Sequence, residues 1–248
     1  MKPLRAARVA ISFLTILPIP APAGMESRDL TRSAAFFPLV GWILGGLLLL
    51  VAQGLIAMFG SGLTTALLLV AVLAWLTRGL HLDGLADLLD GLGGGSEPAR
   101  RLAIMKDSGI GAFGVIGLIL LLGLKASAVA DLLPELFADN KMLLIMPLVA
   151  GRWAMVLLAW RGCYPREQGT GHAFVGQVGL AEVVVSSLFV VPLCLLGPAA
   201  ILVLVASLLP AFFLYFKATR ALGGITGDVL GASCELGETL GWLALLAW

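Results

Sequence analysis

Apolar stretches long enough to cross a lipid bilayer recur along this 248-residue chain. A helix of about 20 apolar residues spans the hydrocarbon core of a membrane. With 60% hydrophobic and 12% charged residues and a mean hydropathy of +1.03, the composition excludes a soluble domain. The predicted spans are 36–58, 63–80, 112–133, 142–160, 180–196 and 199–216, and a seventh at 229–248 stays open because it contains two glutamates.

We therefore predict an all-α fold, a polytopic membrane helix bundle of six or seven transmembrane helices. It forms one integral membrane domain over 1–248, with a cytoplasmic or interfacial segment at 1–35 and the bundle at 36–248. The first residues have basic side chains before an apolar stretch, as in a signal peptide, and Ala21-Pro22-Ala23 is similar to a cleavage site. Because three prolines crowd that region, an interfacial helix is the favoured interpretation.

The basic residues predict the orientation, since short cytoplasmic loops are enriched in lysine and arginine. Of the 16 basic residues, 13 fall on one side of the predicted spans and two lie inside spans, while the opposite side has only Lys141. The N-terminus and the polar stretches are therefore expected at the cytosolic face of the inner membrane. No basic run suggests a nucleic acid partner.

The stretch 79–91, GLHLDGLADLLDG, places three aspartates in apolar surroundings. Asp83, Asp87 and Asp90 have the spacing i, i+4, i+7, which puts them on one helical face. No lysine follows at i+4 to relieve their repulsion, and carboxylates suit Mg²⁺, so we interpret them as metal ligands rather than a solvated helix end. His81 is either a proton acceptor, a group that orients a carboxylate, or an ordinary interfacial histidine.

Two further stretches contain polar residues that suit phosphate or metal. In MKDSGIGAFG, 105–114, a literal GxGxxG lacks the preceding strand of a dinucleotide fold, so we predict instead that Asp107 or Ser108 caps a helix whose start binds phosphate with Lys106. In 223–238, Asp228 and Glu235 share a helical face, and Glu238 follows. The two acidic faces either clamp a metal–phosphate unit or belong to polar packing between helices.

Two basic residues, Lys125 and Arg152, lie inside predicted spans, where charges face a bundle interior or a water-filled cavity. Arg166 lies in a short glycine-containing loop that suits phosphate contact and is equally typical of positive-inside loops. Together these features predict Mg²⁺-assisted transfer on a phosphoryl or pyrophosphoryl substrate at one membrane face.

Five sequence motifs resemble those of the cobalamin synthase, or adenosylcobinamide-GDP ribazoletransferase, family. They are FFPLVG at 36–41, GLHLDGLADLLDG at 79–91, MKDSGIGAFG at 105–114, GR at 151–152 and LGGITGDVLGASCELGE at 222–238. The chain departs from the family at Gly109, where an arginine is frequent, and around 164–171, which puts one phosphate contact in doubt.

The resemblance implies transfer of adenosylcobinamide phosphate from adenosylcobinamide-GDP to α-ribazole or its 5′-phosphate, with release of GMP and dependence on Mg²⁺. With it we assign Mg²⁺ ligands at Asp83, Asp87, Asp90, Asp228 and Glu235, and phosphate contacts at Lys106, Arg152 and Arg166. From the residues themselves we add Asp107 and Ser108 as substrate contacts and take Asp83, His81 and Asp87 as the catalytic candidates.

Two other functions remain open from the sequence. One is a membrane phosphotransferase of the CDP-alcohol type, although Ala86 is followed by Asp87 where that signature has arginine. The other is a corrinoid or ion transporter, which would place polar residues on both sides of the bilayer. Beyond small-molecule substrates and the lipid bilayer, the sequence leaves open a homo-oligomer or association with other enzymes of the corrinoid pathway.

Overall fold

The computed structural model describes residues 3–135 and 141–248, and within these ranges it contains helices and no strand. Lys2 and part of the predicted outer loop at 131–141 lie outside the described residues. The α-helices are α1 (Pro3–Leu14), α2 (Ser27–Ser33), α3 (Phe37–Phe59), α4 (Leu63–Leu76), α5 (Leu80–Gly94), α6 (Pro98–Ile104), α7 (Ala112–Leu132), α8 (Ile145–Arg161), α9 (Leu180–Leu188), α10 (Val191–Cys194), α11 (Pro198–Leu222) and α12 (Gly227–Leu246). Short 3₁₀ helices occur at Ala34–Phe36, Lys141–Leu144 and Thr170–Ala173.

Five of the helical segments are long and apolar enough to cross a membrane: Ser27–Phe59, Ala112–Leu132, Lys141–Arg161, Pro198–Leu222 and Gly227–Leu246. A sixth span is formed if α4 and α5 are counted together. The all-α membrane bundle is confirmed. The open seventh segment, 229–248, corresponds to helix α12, so its two glutamates are inside the bundle rather than evidence against a helix.

Helices α8 and α12 form the centre of the bundle, and α3, α5, α7 and α11 pack around them. In the segment that contains α8, 83% of the apolar 18-residue stretch is buried inside the protein, whereas in α7 only 33% of the corresponding stretch is buried. Ile119 on α7 and Phe212 on α11 expose 66% and 68% of their surface, which suits contact with lipid chains. Glycines bring the central helices close: a Cβ on Gly41 of α3 would lie 2.7 Å from the Cα of Val149.

The predicted span 63–80 is shorter than expected, because α4 ends at Leu76 and the chain turns by 91° into α5. Arg78 and Gly79 adopt φ values of 56° and 64° in this turn. Arg78 donates hydrogen bonds from Nη2 to the carbonyl oxygens of Ser12 and Phe13, at the end of α1. The bend turns the aspartate stretch away from the direction of α4.

The predicted span 180–196 is divided into α9 and α10, and neither helix is long enough to cross a bilayer. Pro192 lies at the break. Proline has no N–H to donate to the carbonyl of Leu188, and its ring crowds that carbonyl, so a continuous helix is unfavourable here. A count of apolar residues does not detect this interruption.

The N-terminal segment is folded against the bundle. Helix α1 buries the apolar face formed by Ala6, Val9, Ala10, Ile11 and Leu14, and it packs on α2 and α3. Arg5 and Asp29 form an ion pair of 2.8 Å between α1 and α2. The amphipathic pattern of 3–14 is therefore used for packing within the protein.

Candidate functional site at the α5–α12 crossing

The aspartate stretch meets the second acidic stretch where α5 crosses α12. A Cβ on Gly84 would lie 2.9 Å from the Cα of Asp228, and one on Gly231 would lie 3.1 Å from the Cα of His81. Only glycine permits two helix backbones to approach so closely. This contact brings the beginning of α5, with Asp83, beside the beginning of α12, with Asp228.

Asp83 lines two cavities that also contain other predicted site residues. The first, here called the crossing cavity, has a volume of about 240 Å³ and is lined by Asp83 and Asp228 together with His81 and Phe174, among others. The second, the loop cavity, has a volume of about 370 Å³ and is lined by Asp83 and Asp87 and by the loop containing Lys106, Asp107 and Ser108. The structure thus brings the α5 aspartates, the start of α12 and the 105–110 loop to one place.

Asp228 is held by its neighbours. Thr226 donates a hydrogen bond of 3.1 Å from Oγ1 to Asp228 Oδ2, and Arg166 Nη2 lies 3.2 Å from the same oxygen. Arg166 also lines a third cavity, of about 540 Å³, together with Lys106. The two cations therefore form a basic region next to the acidic one, which suits a substrate whose phosphates extend from one to the other.

The loop that supplies Arg166 is fixed by Tyr164. The Tyr164 hydroxyl donates to the carbonyl of Gln168 at 3.3 Å, and a Cβ on Gly169, whose φ is +143°, would collide with that hydroxyl. Burial raises the pKa of Tyr164 above its ordinary value, although Arg166 acts in the opposite direction. The phenol is therefore a neutral hydrogen-bond donor at physiological pH.

Asp90, a predicted metal ligand, accepts hydrogen bonds from the backbone at the start of α7. Its Oδ2 accepts a hydrogen bond of 2.7 Å from the N–H of Gly111, and its Oδ1 accepts one of 2.8 Å from Gly114. These N–H groups belong to the N-cap residue and the first turn of α7, so Asp90 caps that helix from the neighbouring α5. The prediction that Asp107 or Ser108 is the cap is wrong, because Gly111 is the N-cap residue and the capping carboxylate comes from α5.

Glu235 and Arg152 also lie apart from the cavities, in a buried cluster of four charges. Lys125 of α7 donates to Glu235 at 2.5 Å and to Glu238 at 2.8 Å, and Arg152 of α8 donates to Glu238 at 2.6 Å. All four side chains are at least nine-tenths buried. Two cations and two anions balance each other, so this cluster links α7, α8 and α12 and keeps Glu235 and Arg152 out of the lining of these cavities.

His81 is 2% exposed, and neither ring nitrogen has a hydrogen-bond partner within the described residues. It lines the crossing cavity beside Asp83. A buried imidazole without a partner is costly, which makes it a candidate for contact with a ligand.

Within residues 3–135 and 141–248, no three His, Cys, Asp or Glu side chains form a complete metal site. Mg²⁺ does not require one, since it is usually held by one or two carboxylates together with substrate phosphates and water. Asp83 and Asp87 make no side-chain hydrogen bond or ion pair in the described part of the chain, so their oxygens are available. Asp83 shares one cavity with Asp228 and another with Asp87, and a pair of carboxylates is the donor chemistry that such a site needs.

Sequence reasoning missed the aromatic wall of the crossing cavity, formed by Phe13, Phe37 and Phe174. These residues come from α1, α3 and the 162–179 loop, and no local pattern connects them. The ion cluster corresponds to an alternative that the sequence left open, polar packing between helices. Two cations and two glutamates inside spans give zero net charge, which indicates mutual pairing.

Comparison with known proteins decides the family. The family model for cobalamin-5-phosphate synthase (CobS) matches residues 6–246. The chain belongs to this family. Relatives named adenosylcobinamide-GDP ribazoletransferase include a protein of Geotalea daltonii, 42% identical over 98% of both chains. Another, from Syntrophobacter fumaroxidans, is 43% identical over 93% of this chain and 94% of its own.

A third relative of the same name, from Klebsiella pneumoniae, is 40% identical over 96% of this chain and 97% of its own. No solved structure gives a significant match. Membership of the family makes this membrane protein a transferase of cobalamin biosynthesis.

Proposed function

We propose that the protein transfers adenosylcobinamide phosphate from adenosylcobinamide-GDP to α-ribazole or α-ribazole 5′-phosphate, in a reaction that requires Mg²⁺ and releases GMP. The observation that carries the proposal is the shared cavity of Asp83 and Asp228, which come from two different helices and lie next to the basic pair Lys106 and Arg166. The substrates are inferred from the name of the relatives, adenosylcobinamide-GDP ribazoletransferase. The acidic, basic and apolar linings of the cavities suit the metal-bound phosphates, the free phosphate oxygens and the aromatic parts of such substrates.

The carboxylates of Asp83, Asp87 and Asp228 would hold Mg²⁺ at the diphosphate of the donor. When bound, the ion neutralises charge on the phosphate oxygens and on the departing GMP. Asp90 and Glu235 are left out of this set, because neither lines the crossing cavity or the loop cavity and the α7 amides and Lys125 engage them. Their role is to fix the helices that present the other three acids. Asp228 is kept because it lines the crossing cavity and, within the described residues, only its Oδ2 is engaged, by Thr226 and Arg166.

In the reaction the ribose 3′-hydroxyl of the acceptor attacks the phosphorus that bears cobinamide. A new P–O bond forms, and the P–O bond to GMP breaks with its electron pair on GMP. Because Asp83 lines both cavities, we assign its carboxylate the tasks of orienting the hydroxyl and accepting its proton. Lys106 and Arg166 stabilise the negative oxygens, while Asp107 and Ser108 shape the loop around them.

We further propose that this site lies at the cytosolic face of the inner membrane and opens to the cytosol. The loop residues Lys106 and Arg166 and the end of α11 with Arg220 lie on the side that the positive charges mark as cytoplasmic. Water-soluble nucleotide substrates then reach the acids without crossing the bilayer.

The test uses purified full-length protein in lipid nanodiscs and measures GMP release. We expect Asp83→Asn to lower kcat at least about 100-fold, within the range lost when a general acid or base is removed. EDTA should stop the wild-type reaction and Mg²⁺ should restore it. The matched control is Asp131→Asn, since Asp131 is exposed on α7 and lines none of the three cavities.

Full activity of Asp83→Asn, or an unchanged rate in EDTA, would refute the assigned roles. Head-group transfer from a CDP-alcohol donor in the same preparation would replace the proposed substrates. Uptake of labelled corrinoid into liposomes without GMP release would favour a transporter.

A further inference from the structure

One wall of the crossing cavity is aromatic. The ring of Phe13 lies 5.2 Å from that of Phe174 and 6.5 Å from that of Phe37, and the last two are 5.4 Å apart. Phe37 and Phe174 are each 3% exposed, so their rings are preorganised by packing. Such a wall suits a flat aromatic ligand, which gains dispersion and quadrupole contacts with several rings.

The acids lie elsewhere in the lining of the same cavity. Asp83 of α5 and Asp228 of α12 both line it, and the glycines of the crossing, Gly84 and Gly231, add backbone without side-chain bulk. The cavity thus combines an apolar region with a carboxylate region within one small volume. A nucleoside has the matching division, an aromatic base and a ribose with hydroxyl groups.

The size is appropriate for a base with two fused rings. A dry apolar cavity of about 150 Å³ binds benzene in a protein core. The crossing cavity, at about 240 Å³, is larger by more than half. It has room for a bicyclic base and none for a whole corrin ring.

We propose that the crossing cavity is the binding site for the aromatic base of the acceptor nucleoside, which stacks among Phe13, Phe37 and Phe174 and points its ribose toward Asp83 and Asp228. This inference rests on the proposed function for the identity of the acceptor. The inference adds which residues of this chain select that acceptor. His81 lines the same cavity, and rotation of its buried imidazole, whose ring nitrogens have no hydrogen-bond partner in the described chain, would let it donate to the free ring nitrogen of a benzimidazole base.

The donor's guanine is a poorer occupant. Guanine has several hydrogen-bonding groups on its edge, and the polar side chains in the lining are few. Asp83 and Asp228 are assigned to Mg²⁺ and the ribose hydroxyl, so the phenylalanine, leucine and methionine side chains leave most of that edge without partners. Burying such groups unpaired costs free energy, whereas a benzimidazole has a single ring nitrogen to satisfy. The donor phosphates and guanosine then belong to the loop cavity and the basic region beyond it.

The test compares Phe13→Leu and Phe174→Leu with the control Phe36→Leu. The ring of Phe36 packs at a tilt on that of Phe189, with centroids 5.8 Å apart, and Phe36 is not part of the cavity lining. We expect the first two variants to raise both the KM and the calorimetric Kd for α-ribazole about tenfold, as when one aromatic contact to a base is lost. The KM for adenosylcobinamide-GDP should stay unchanged, and the control should match wild type in both.

An unchanged KM for α-ribazole in both cavity variants overturns the inference while the proposed function stands. A rise confined to the donor's KM overturns it as well, because the cavity would then hold the donor. If wild-type protein releases no GMP with α-ribazole, the proposed function fails. The calorimetric Kd, measured without donor, still tests the cavity in that case.

A series of ligands on wild-type protein keeps the inference testable if a variant does not fold. We expect α-ribazole to bind more tightly than a riboside of imidazole, which lacks the second ring, and more tightly than guanosine. Equal or tighter binding of guanosine would refute an apolar site for the acceptor base.

Discussion

The isosteric change Asp90→Asn separates a helix cap from a metal ligand. Each carboxylate oxygen of Asp90 accepts one N–H from the start of α7, at 2.7 Å and 2.8 Å, and the side chain is 8% exposed. Asparagine has one oxygen acceptor, so its NH₂ group would face the second N–H, donor against donor. One buried N–H is left unsatisfied at a helix N-terminus that has also lost a negative charge.

The expected cost follows from that geometry. An unsatisfied buried donor costs about 1–3 kcal/mol, and for a chain of this size each kcal/mol lowers Tm by roughly 2–4 °C. For a cost in the middle of that range, about 2 kcal/mol, we expect Asp90→Asn to lower the Tm of the detergent-solubilised protein by about 4–8 °C. The concentration of Mg²⁺ that gives half-maximal GMP release should not change below the transition.

The matched comparison is Asp87→Asn, one turn earlier on the same helix. Asp87 is half-buried, lines the loop cavity and makes no side-chain hydrogen bond in the described residues. Its replacement should leave Tm within about 1 °C and raise the Mg²⁺ requirement, because a ligand rather than a cap is lost. An Asp90→Asn protein with normal Tm and a weakened Mg²⁺ response would refute the capping role.

Two further substitutions test the packing that positions the acids. Gly84→Ala should lower kcat about tenfold or more with little change in KM, because the new Cβ would lie 2.9 Å from the Cα of Asp228 and force α5 and α12 apart. The control Gly54→Ala, whose Cβ would have nothing within 4 Å, should match wild type in the same assay. Glu238→Gln should destabilise the protein by about 3–5 kcal/mol, because it leaves the buried cations Lys125 and Arg152 with one anion. Chemical unfolding in detergent measures this loss, and normal stability would contradict a paired cluster.

The sequence predicted the membrane bundle because burial in lipid requires long apolar helices whose backbone bonds are internal. It was less successful where a single residue interrupts an apolar run. Pro192 divides the predicted span 180–196, and the turn at Arg78 and Gly79 ends α4 early. Mean hydropathy does not register either feature, because both act through backbone hydrogen bonds and dihedral angles rather than through polarity.

By itself the sequence determined that Asp83, Asp87 and Asp90 share one helical face and that positive charge marks one side of the membrane. Only the tertiary structure decided what each acid does. Asp83 opens into two cavities, Asp90 meets the backbone of α7, and Glu235 of α12 meets Lys125. Helical periodicity gives the direction of a side chain, but its chemistry depends on the partner that a neighbouring helix brings to it, and such partners are distant in sequence.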